Sequence, residues 1–391
     1  MIIILIILII LIILTASLLV YRIYTKRRAS SLVLVICGGS KLKLFEAERK
    51  VELTDLRKGV KCKESVKDIE KEMMYISDNW KTFEKNWSTI VKLIHPFDKL
   101  KTELSIKSSI TEKPTFRPTN AFMKMYEALL LLKEDGWYDD QKTISMFDIA
   151  SAPGMFILAV DKFTEKYKKE FSWYATSYVP EGDDLYLQDE FGIYKSHPDK
   201  FLNANILLKK DIDKMLKIKE KFNLVTGDIG MPHGFDDLQE KHHHELQWGQ
   251  AYVATKLCQE GGAVYLKMYS HIYPTSIHLI HFLSKCFKKL YIIKPFTSRI
   301  MNHESYILGI YRNDVSIDDM PPVLEETYSE DTLNNFELIH IQNACRNFHY
   351  ELAKAGKEEV IKANDCINKH KKYEDKNSEY KKYLMNEFSH L

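Results

Sequence analysis

The hydrophobic pattern of this chain changes character several times. Met1 to Tyr21 form one uncharged run dominated by isoleucine and leucine. As a helix it would extend about 31 Å, enough to cross a bilayer core. Arg22, Lys26, Arg27 and Arg28 follow at once, and no basic residue precedes the run. The positive-inside rule therefore predicts a transmembrane anchor over 1–21 and a basic linker over 22–40, with the remainder on the cytosolic side. The missing basic n-region and the length of the run speak against a cleaved signal peptide, leaving a low-complexity extension from a misjudged start codon as the other reading. SLVLVICGGS at 31–40 lacks the third glycine and the Lys-Ser/Thr ending of a phosphate loop and reads as a connector.

Over 41–115 the apolar residues Met73, Met74, Ile76, Trp80, Phe83, Trp87, Ile90, Val91 and Ile94 recur at helical spacing, predicting a helical N-terminal region with its aromatics in the core. Pro114 and Pro118 break the pattern, and Thr119 or Asn120 caps a helix from Ala121 to Lys133. Short β-rich runs at 144–150, 173–179, 205–210, 222–229, 263–269, 289–295 and 304–312 then alternate with helical stretches. That alternation predicts an α/β fold, a mostly parallel sheet covered on both faces. FTSRIMNH, between the last two runs, is too short for a crossover helix, so the last strand is antiparallel. Residues 316–391 form a helical C-terminal extension, best defined over ELIHIQNACRNFHYELAKAGKEEVIKAN. Its closing KHKKYEDKNSEYKKY reads as a solvated helix or frayed tail.

The 391 residues suffice for one large or two smaller domains, and 45% hydrophobic with 28% charged residues is ordinary for a folded protein. A formal net charge of +2 means that any nucleic-acid contact comes from a local basic surface. Cys37, Cys62, Cys258, Cys286, Cys345 and Cys366 show no CxxC pair or repeated spacing, which argues against a disulfide framework and a zinc site and fits a reducing compartment. His242, His243 and His244 diverge around a helix and have no matching cluster, so they read as solvated helix positions.

The chemistry concentrates near the ends of predicted strands: Lys124 in TNAFMKMYEAL, Asp228 in FNLVTGDIG, Lys267 in GGAVYLKMY and Glu304 in TSRIMNHESYILGIY. In the predicted topology these four segments converge on the carboxyl edge of the sheet, where ligands bind in doubly wound folds. Two amines and two carboxylates suit removal of a proton from a weakly acidic hydroxyl, provided that desolvation and a neighbouring cation lower the pKa of the basic lysine. FDIASAPGMF at 147–156 adds a glycine-containing turn from a strand into a helix amino terminus.

With that turn, the order Lys, Asp, Lys, Glu resembles the FtsJ-like S-adenosylmethionine-dependent RNA 2′-O-ribose methyltransferases over about residues 116–315. The resemblance implies a Rossmann-like methyltransferase sheet flanked by helical extensions. It also implies S-adenosylmethionine held by the Ala152, Pro153 and Gly154 backbone and Ser151, with Asp148 near its ammonium and Asp211, after the third strand, near the adenine amino group. The family's second glycine is Met155 here, and the ribose carboxylate is left open among Glu181, Asp183 and Asp184. Lys267 is implied to act as base near the ribose 2′-hydroxyl, with Lys124 and Asp228 orienting it and Glu304 holding the lysines. No metal is required. AFMKMYEA and KPFTSRIMNHESY look closest to cap-specific enzymes and to the FtsJ-like methyltransferases of large cytoplasmic DNA viruses, asfarviruses especially, which makes RNA, possibly capped mRNA, the implied partner. Arg299 either meets a phosphate or packs the hairpin. The competing expectations are a non-catalytic RNA-binding or scaffold protein that keeps the fold, and a methyltransferase of ribosomal or transfer RNA.

Overall fold

The computed structural model describes residues 50–54, 61–113, 115–183, 189–218, 220–230, 239–315, 320–375 and 378–391. Its centre is an eight-stranded sheet in the order β1-β9-β10-β8-β7-β4-β5-β6. The strands are β1 (Lys50–Glu52), β4 (Thr143–Ile149), β5 (Glu170–Ser177), β6 (Phe201–Asn203), β7 (Phe222–Gly227), β8 (Cys258–Met268), β9 (Phe287–Ile293) and β10 (Ser305–Arg312), while β2 (Ile106–Lys107) and β3 (Thr115–Phe116) pair separately. Strands β6, β5, β4, β7 and β8 run parallel; β10 inserts between β8 and β9, antiparallel to both. The expected mostly parallel sheet with an antiparallel last strand is therefore present. The 50–52 segment adds an unanticipated edge, β1, antiparallel to β9.

Central strands such as β7, FNLVTG, are buried along their whole length, as strands covered on both faces must be. Before the central sheet the described residues form α1 (Val66–Asp78), α2 (Trp87–Ile94) and α3 (Phe97–Glu103), with a single helical turn at Trp80–Phe83 between the first two. A reciprocal Ser65–Asp68 capping box starts α1. Helix α4 (Asn120–Glu134) packs on α5 (Met155–Lys166), with Tyr126 edge-on to Phe163 at 5.0 Å. Next come α6 (Lys209–Leu216), α7 (Gln239–Leu257), α8 (Pro274–Cys286), the 33-residue α9 (Phe336–Asn368) and α10 (Ser378–Ser389). Alternation along the strands sorts the side chains. Phe147, Ile149, Val225, Val264, Leu266 and Ile307 enter one large core cluster with residues of α7 and α8. Asp148, Thr226, Lys267 and Tyr306, each one position out of phase with those residues, point to the α4 and α5 side.

Several expectations need correction. The 1–21 anchor and the 22–40 linker lie outside the described residues. Among the described residues no helix is long and apolar enough to cross a membrane, so the membrane-anchored location has no support. The third strand is Phe201–Asn203, not 205–210: Ala204 and Ile206 are buried in the turn after it, and Lys209–Leu216 is helical. That apolar run marks a buried turn rather than a strand. His243 and His244 are buried and only His242 is exposed, because α7 turns that face inward, His243 lying 4.4 Å from the Tyr269 ring. The closing segment is irregular and mostly exposed over 369–375, but its end enters α10, where Tyr380 and Lys381 are buried together with Leu384 and Phe388 beyond it.

Candidate active site

Register brings the four charged residues together. Asp148 on β4 lies opposite Thr226 on β7, two residues before Asp228, and Lys267 on β8 lies opposite Tyr306 on β10, two residues after Glu304. Lys124 enters from the first turns of α4, where the backbone carbonyl of that same residue accepts a 3.4 Å hydrogen bond from Tyr265 of β8. Glu304 is the hub. Its Oε1 is 2.5 Å from Lys124 Nζ and its Oε2 is 3.6 Å from Lys267 Nζ, while Asp228 Oδ1 is 3.5 Å from the same Lys267 nitrogen. Tyr306, which sequence reasoning missed, donates from its hydroxyl to Asp228 Oδ1 at 2.8 Å and stacks on Tyr265 at 4.5 Å. The tyrosine one turn of strand beyond Glu304 in HESY was the available signal.

The electrostatics follow from this pairing. Burial alone would raise Glu304, but the Lys124, Lys267 and Lys294 ammonium groups outweigh it and hold the carboxyl well below the usual range. Burial alone would lower Lys267, but the Asp228 and Glu304 carboxylates outweigh it and hold the amine above the ordinary lysine range. Where a depressed pKa was expected, the two close carboxylates instead favour the charged form of Lys267.

The cofactor turn behaves in the opposite way. Asp148 is fully buried, its two oxygens accepting from the Ser151 and Thr226 hydroxyls at 2.6 Å each. Burial, only partly offset by those hydroxyls and reinforced by the charge of Asp228, pushes it up to about 7. Ser151 N–H donates to Thr176 O, Ala152 N–H to Ser177 Oγ and Gly154 N–H to Ser151 O, so these amides are spent inside the fold. Pro153 has none to give. Gly154, at φ +92°, opens α5, and a Cβ there would meet Ile193 Cδ1 at 2.7 Å. The neighbouring Tyr194 hydroxyl reaches Ser151 Oγ at 3.0 Å. Glycine is thus needed for the turn and for close packing of the Ile193–Ser196 helical turn. What remains for a ligand is the first turn of α5, whose amides have no helical carbonyl to bond, beside a buried carboxylate without a cation. That donor set fits an amino-acid moiety, carboxylate to the helix and ammonium to Asp148.

The other expected residues lie elsewhere. Asp211, in the first turn of α6, commits Oδ2 to Asn205 N–H at 3.0 Å and closes the turn after β6. Glu181 and Asp183 are exposed in the turn after β5, and Asp184 lies outside the described residues. Arg299 donates to Asp98 of α3 through Nε at 3.1 Å and Nη2 at 2.7 Å, which pins the hairpin to the N-terminal helices. Among the described residues no group of His, Cys, Asp and Glu has the arrangement of a metal site.

Residues 118–312 match the model of the family described as FtsJ-like methyltransferase. The chain is 33% identical over 211 residues to the African swine fever virus protein named "Probable methyltransferase EP424R", covering 49% of this chain and 48% of that protein. It is also 27% identical over 217 residues to the cap-specific mRNA (nucleoside-2′-O-)-methyltransferase 2 of Drosophila melanogaster, covering 50% of this chain and 30% of that protein. The chain thus spans about half the length of the African swine fever virus relatives it matches. Among solved structures, a Plasmodium falciparum ribosomal RNA methyltransferase matches 47% of this chain and 96% of its own at 17% identity, with a TM-score of 0.34.

Proposed function

Because residues 118–312 belong to the FtsJ-like methyltransferase family, we propose that this chain transfers the methyl group of S-adenosylmethionine to a ribose 2′-hydroxyl of RNA, at nucleotides next to the mRNA cap. The observation that carries the reading is the cluster, buried at Lys124 and Glu304 and half-buried at Lys267 and Asp228, in which Glu304 bridges Lys124 and Lys267 while Asp228 flanks Lys267. Four segments distant in sequence bring matched charges to one sheet edge, an arrangement that a scaffold protein has no use for. The similarity to cap-specific enzymes of insect and fish supports the cap-adjacent position.

S-adenosylmethionine supplies the methyl group on a sulfonium, and the protein orients the acceptor and manages charge. The Lys267 ammonium donates to the ribose 2′-oxygen and fixes its lone pair for in-line approach. Lys124 and Glu304 hold Lys267 on its rim, and Tyr306 holds Asp228. As the new C–O bond forms, the hydroxyl proton becomes strongly acidic. A weak base then suffices to receive it, and Asp228, 3.5 Å from the Lys267 nitrogen, is that base. Orientation and electrostatic preorganisation, rather than a strongly basic amine, supply the barrier lowering. Asp148 and the amino end of α5 would hold the ammonium and carboxylate of the cofactor's methionine part.

The test is label transfer from methyl-labelled S-adenosylmethionine to short RNAs with and without a cap. Label in the ribose of the capped RNA supports the whole reading. Label in uncapped RNA alone removes the cap, and label in neither removes the activity.

A further inference from the structure

Helix α10 lies outside the residues that match the family model, yet it reaches the hairpin that carries Glu304. Glu127, one turn along α4 from Lys124, is buried and aims its carboxylate at that hairpin. Oε1 accepts from Phe296 N–H at 2.9 Å, and Oε2 accepts from Thr297 N–H at 3.0 Å and Thr297 Oγ1 at 2.9 Å. The next residue, Ser298, donates its hydroxyl to Glu304 Oε1 at 2.9 Å. Tyr380 of α10 covers this junction, its hydroxyl 3.4 Å from Glu127 Oε1 and its ring 4.6 Å from that of Phe296.

The helix is itself firmly seated. Lys381 Nζ donates to Ile94 O at 2.7 Å and to Asp375 at 2.6 Å, Phe388 lies 5.4 Å from the Tyr126 ring, and Glu387 pairs with Lys166 of α5 at 2.7 Å. Tyr380 thus sits on a braced element and contacts both the carboxylate that grips the hairpin and the hairpin itself. A carboxylate that receives three hairpin donors loses strength if water enters beside it, and the buried tyrosine ring keeps water out.

We propose that α10 is a strut for the active-site hairpin, with Tyr380 a positioning residue that seals the Glu127 clamp and so keeps Glu304 between Lys124 and Lys267. The kinetic consequence rests on the methyl-transfer reading; the structural consequence does not. Removing the seal loosens residues 294–304 while leaving the cofactor turn at 147–156 intact, since that turn is closed by Tyr194, Thr176 and Ser177.

The test is hydrogen–deuterium exchange of the full chain, read by mass spectrometry, in the parent, Tyr380→Ala, Tyr380→Leu and Tyr380→Phe. The expected result is exchange about 10-fold faster over 294–304 in the alanine and leucine variants, with 147–156 unchanged. Tyr380→Phe, which keeps the ring against Phe296, should restore exchange to within about 3-fold of the parent. In parallel, kcat should fall about 10-fold in the alanine and leucine variants while KM for S-adenosylmethionine stays within about 2-fold. Unchanged hairpin exchange overturns the strut, and so does equal acceleration in both segments, which marks general destabilisation. If alanine fails to fold, the bulkier leucine variant decides. A parent that methylates no RNA removes the function proposed above and leaves the exchange result to judge the strut.

Discussion

Two sites share one sheet edge and treat buried charge in opposite ways. In the tetrad, Glu304 pairs with both Lys124 and Lys267 and Asp228 pairs with Lys267, so that Glu304 and Lys267 are each held in their charged form by their partners. In the cofactor turn, the hydroxyls of Ser151 and Thr226 bond Asp148 while burial and the charge of Asp228 push it toward its neutral form. Hydroxyl donors compensate a buried carboxylate less than a cation does. The tetrad therefore carries its charge partners before any ligand arrives, whereas Asp148 has no cationic partner among the described residues. A catalytic cluster that must orient an acceptor benefits from being preset, and a binding site gains affinity by supplying the missing partner of its ligand.

The comparison breaks most visibly at Lys267. Lys267→Ala should lower methyl transfer by about 10²–10⁴-fold, the usual range for a positioned acid–base or electrostatic group, while calorimetry shows S-adenosylmethionine bound within a few-fold of the parent. Equal loss of cofactor binding would merge the two sites into one.

Glu304→Gln attacks the completeness of the tetrad. It leaves the buried Lys124 and the half-buried Lys267 ammonium groups without their shared carboxylate and should cost about 3–5 kcal/mol in urea unfolding. A loss below about 1 kcal/mol would mean that water or Asp228 compensates the lysines, contrary to the self-neutralised picture.

Asp148 sharpens the contrast through pH. Its folded pKa of about 7 lies above the unfolded value of about 4, so the folded state holds the proton more tightly. The stability it contributes is full below about pH 4 and is lost as pH rises through 7. Asp148→Asn should remove this slope, making the variant more resistant to unfolding relative to the parent at pH 8 than at pH 5. Affinity for S-adenosylmethionine should rise with pH through 7 in the parent, about 10-fold overall, and stay flat in the variant. A parent affinity that falls over this interval would contradict pairing of the carboxylate with an ammonium.

The smallest effect is expected at Gly154→Ala, about 1–2 kcal/mol, from the left-handed backbone and the clash with Ile193. Thermal unfolding measures it. A neutral result would show that the Ile193–Ser196 turn moves aside freely.

Much of the frame was legible because it depends on local periodicity. Buried parallel strands such as β7 and β8 announce themselves as apolar runs, and the short FTSRIMNH link forced the antiparallel β10. The tetrad was legible as an ordered set because topology alone brings strand ends to one edge. Its charge state was not, since the protonation of Lys267 depends on two distances that no spacing encodes. The third strand was misplaced because β6 is a short, half-buried edge strand, whereas the buried apolar run sits in the turn after it. Lysine content hid α10 as well: Tyr380, Leu384 and Phe388 form a stripe with one residue per turn, which becomes visible only when the surrounding charges are set aside. Asp211 entered the expected cofactor set through the family resemblance, and in the fold its Oδ2 also closes the turn after β6.

The most direct measurement is nucleoside analysis by mass spectrometry of capped RNA incubated with S-adenosylmethionine and either the parent or Lys267→Ala. The account predicts 2′-O-methylated ribose next to the cap with the parent and none above background with the variant. Methylation on a base, or equal ribose methylation by both proteins, would contradict it.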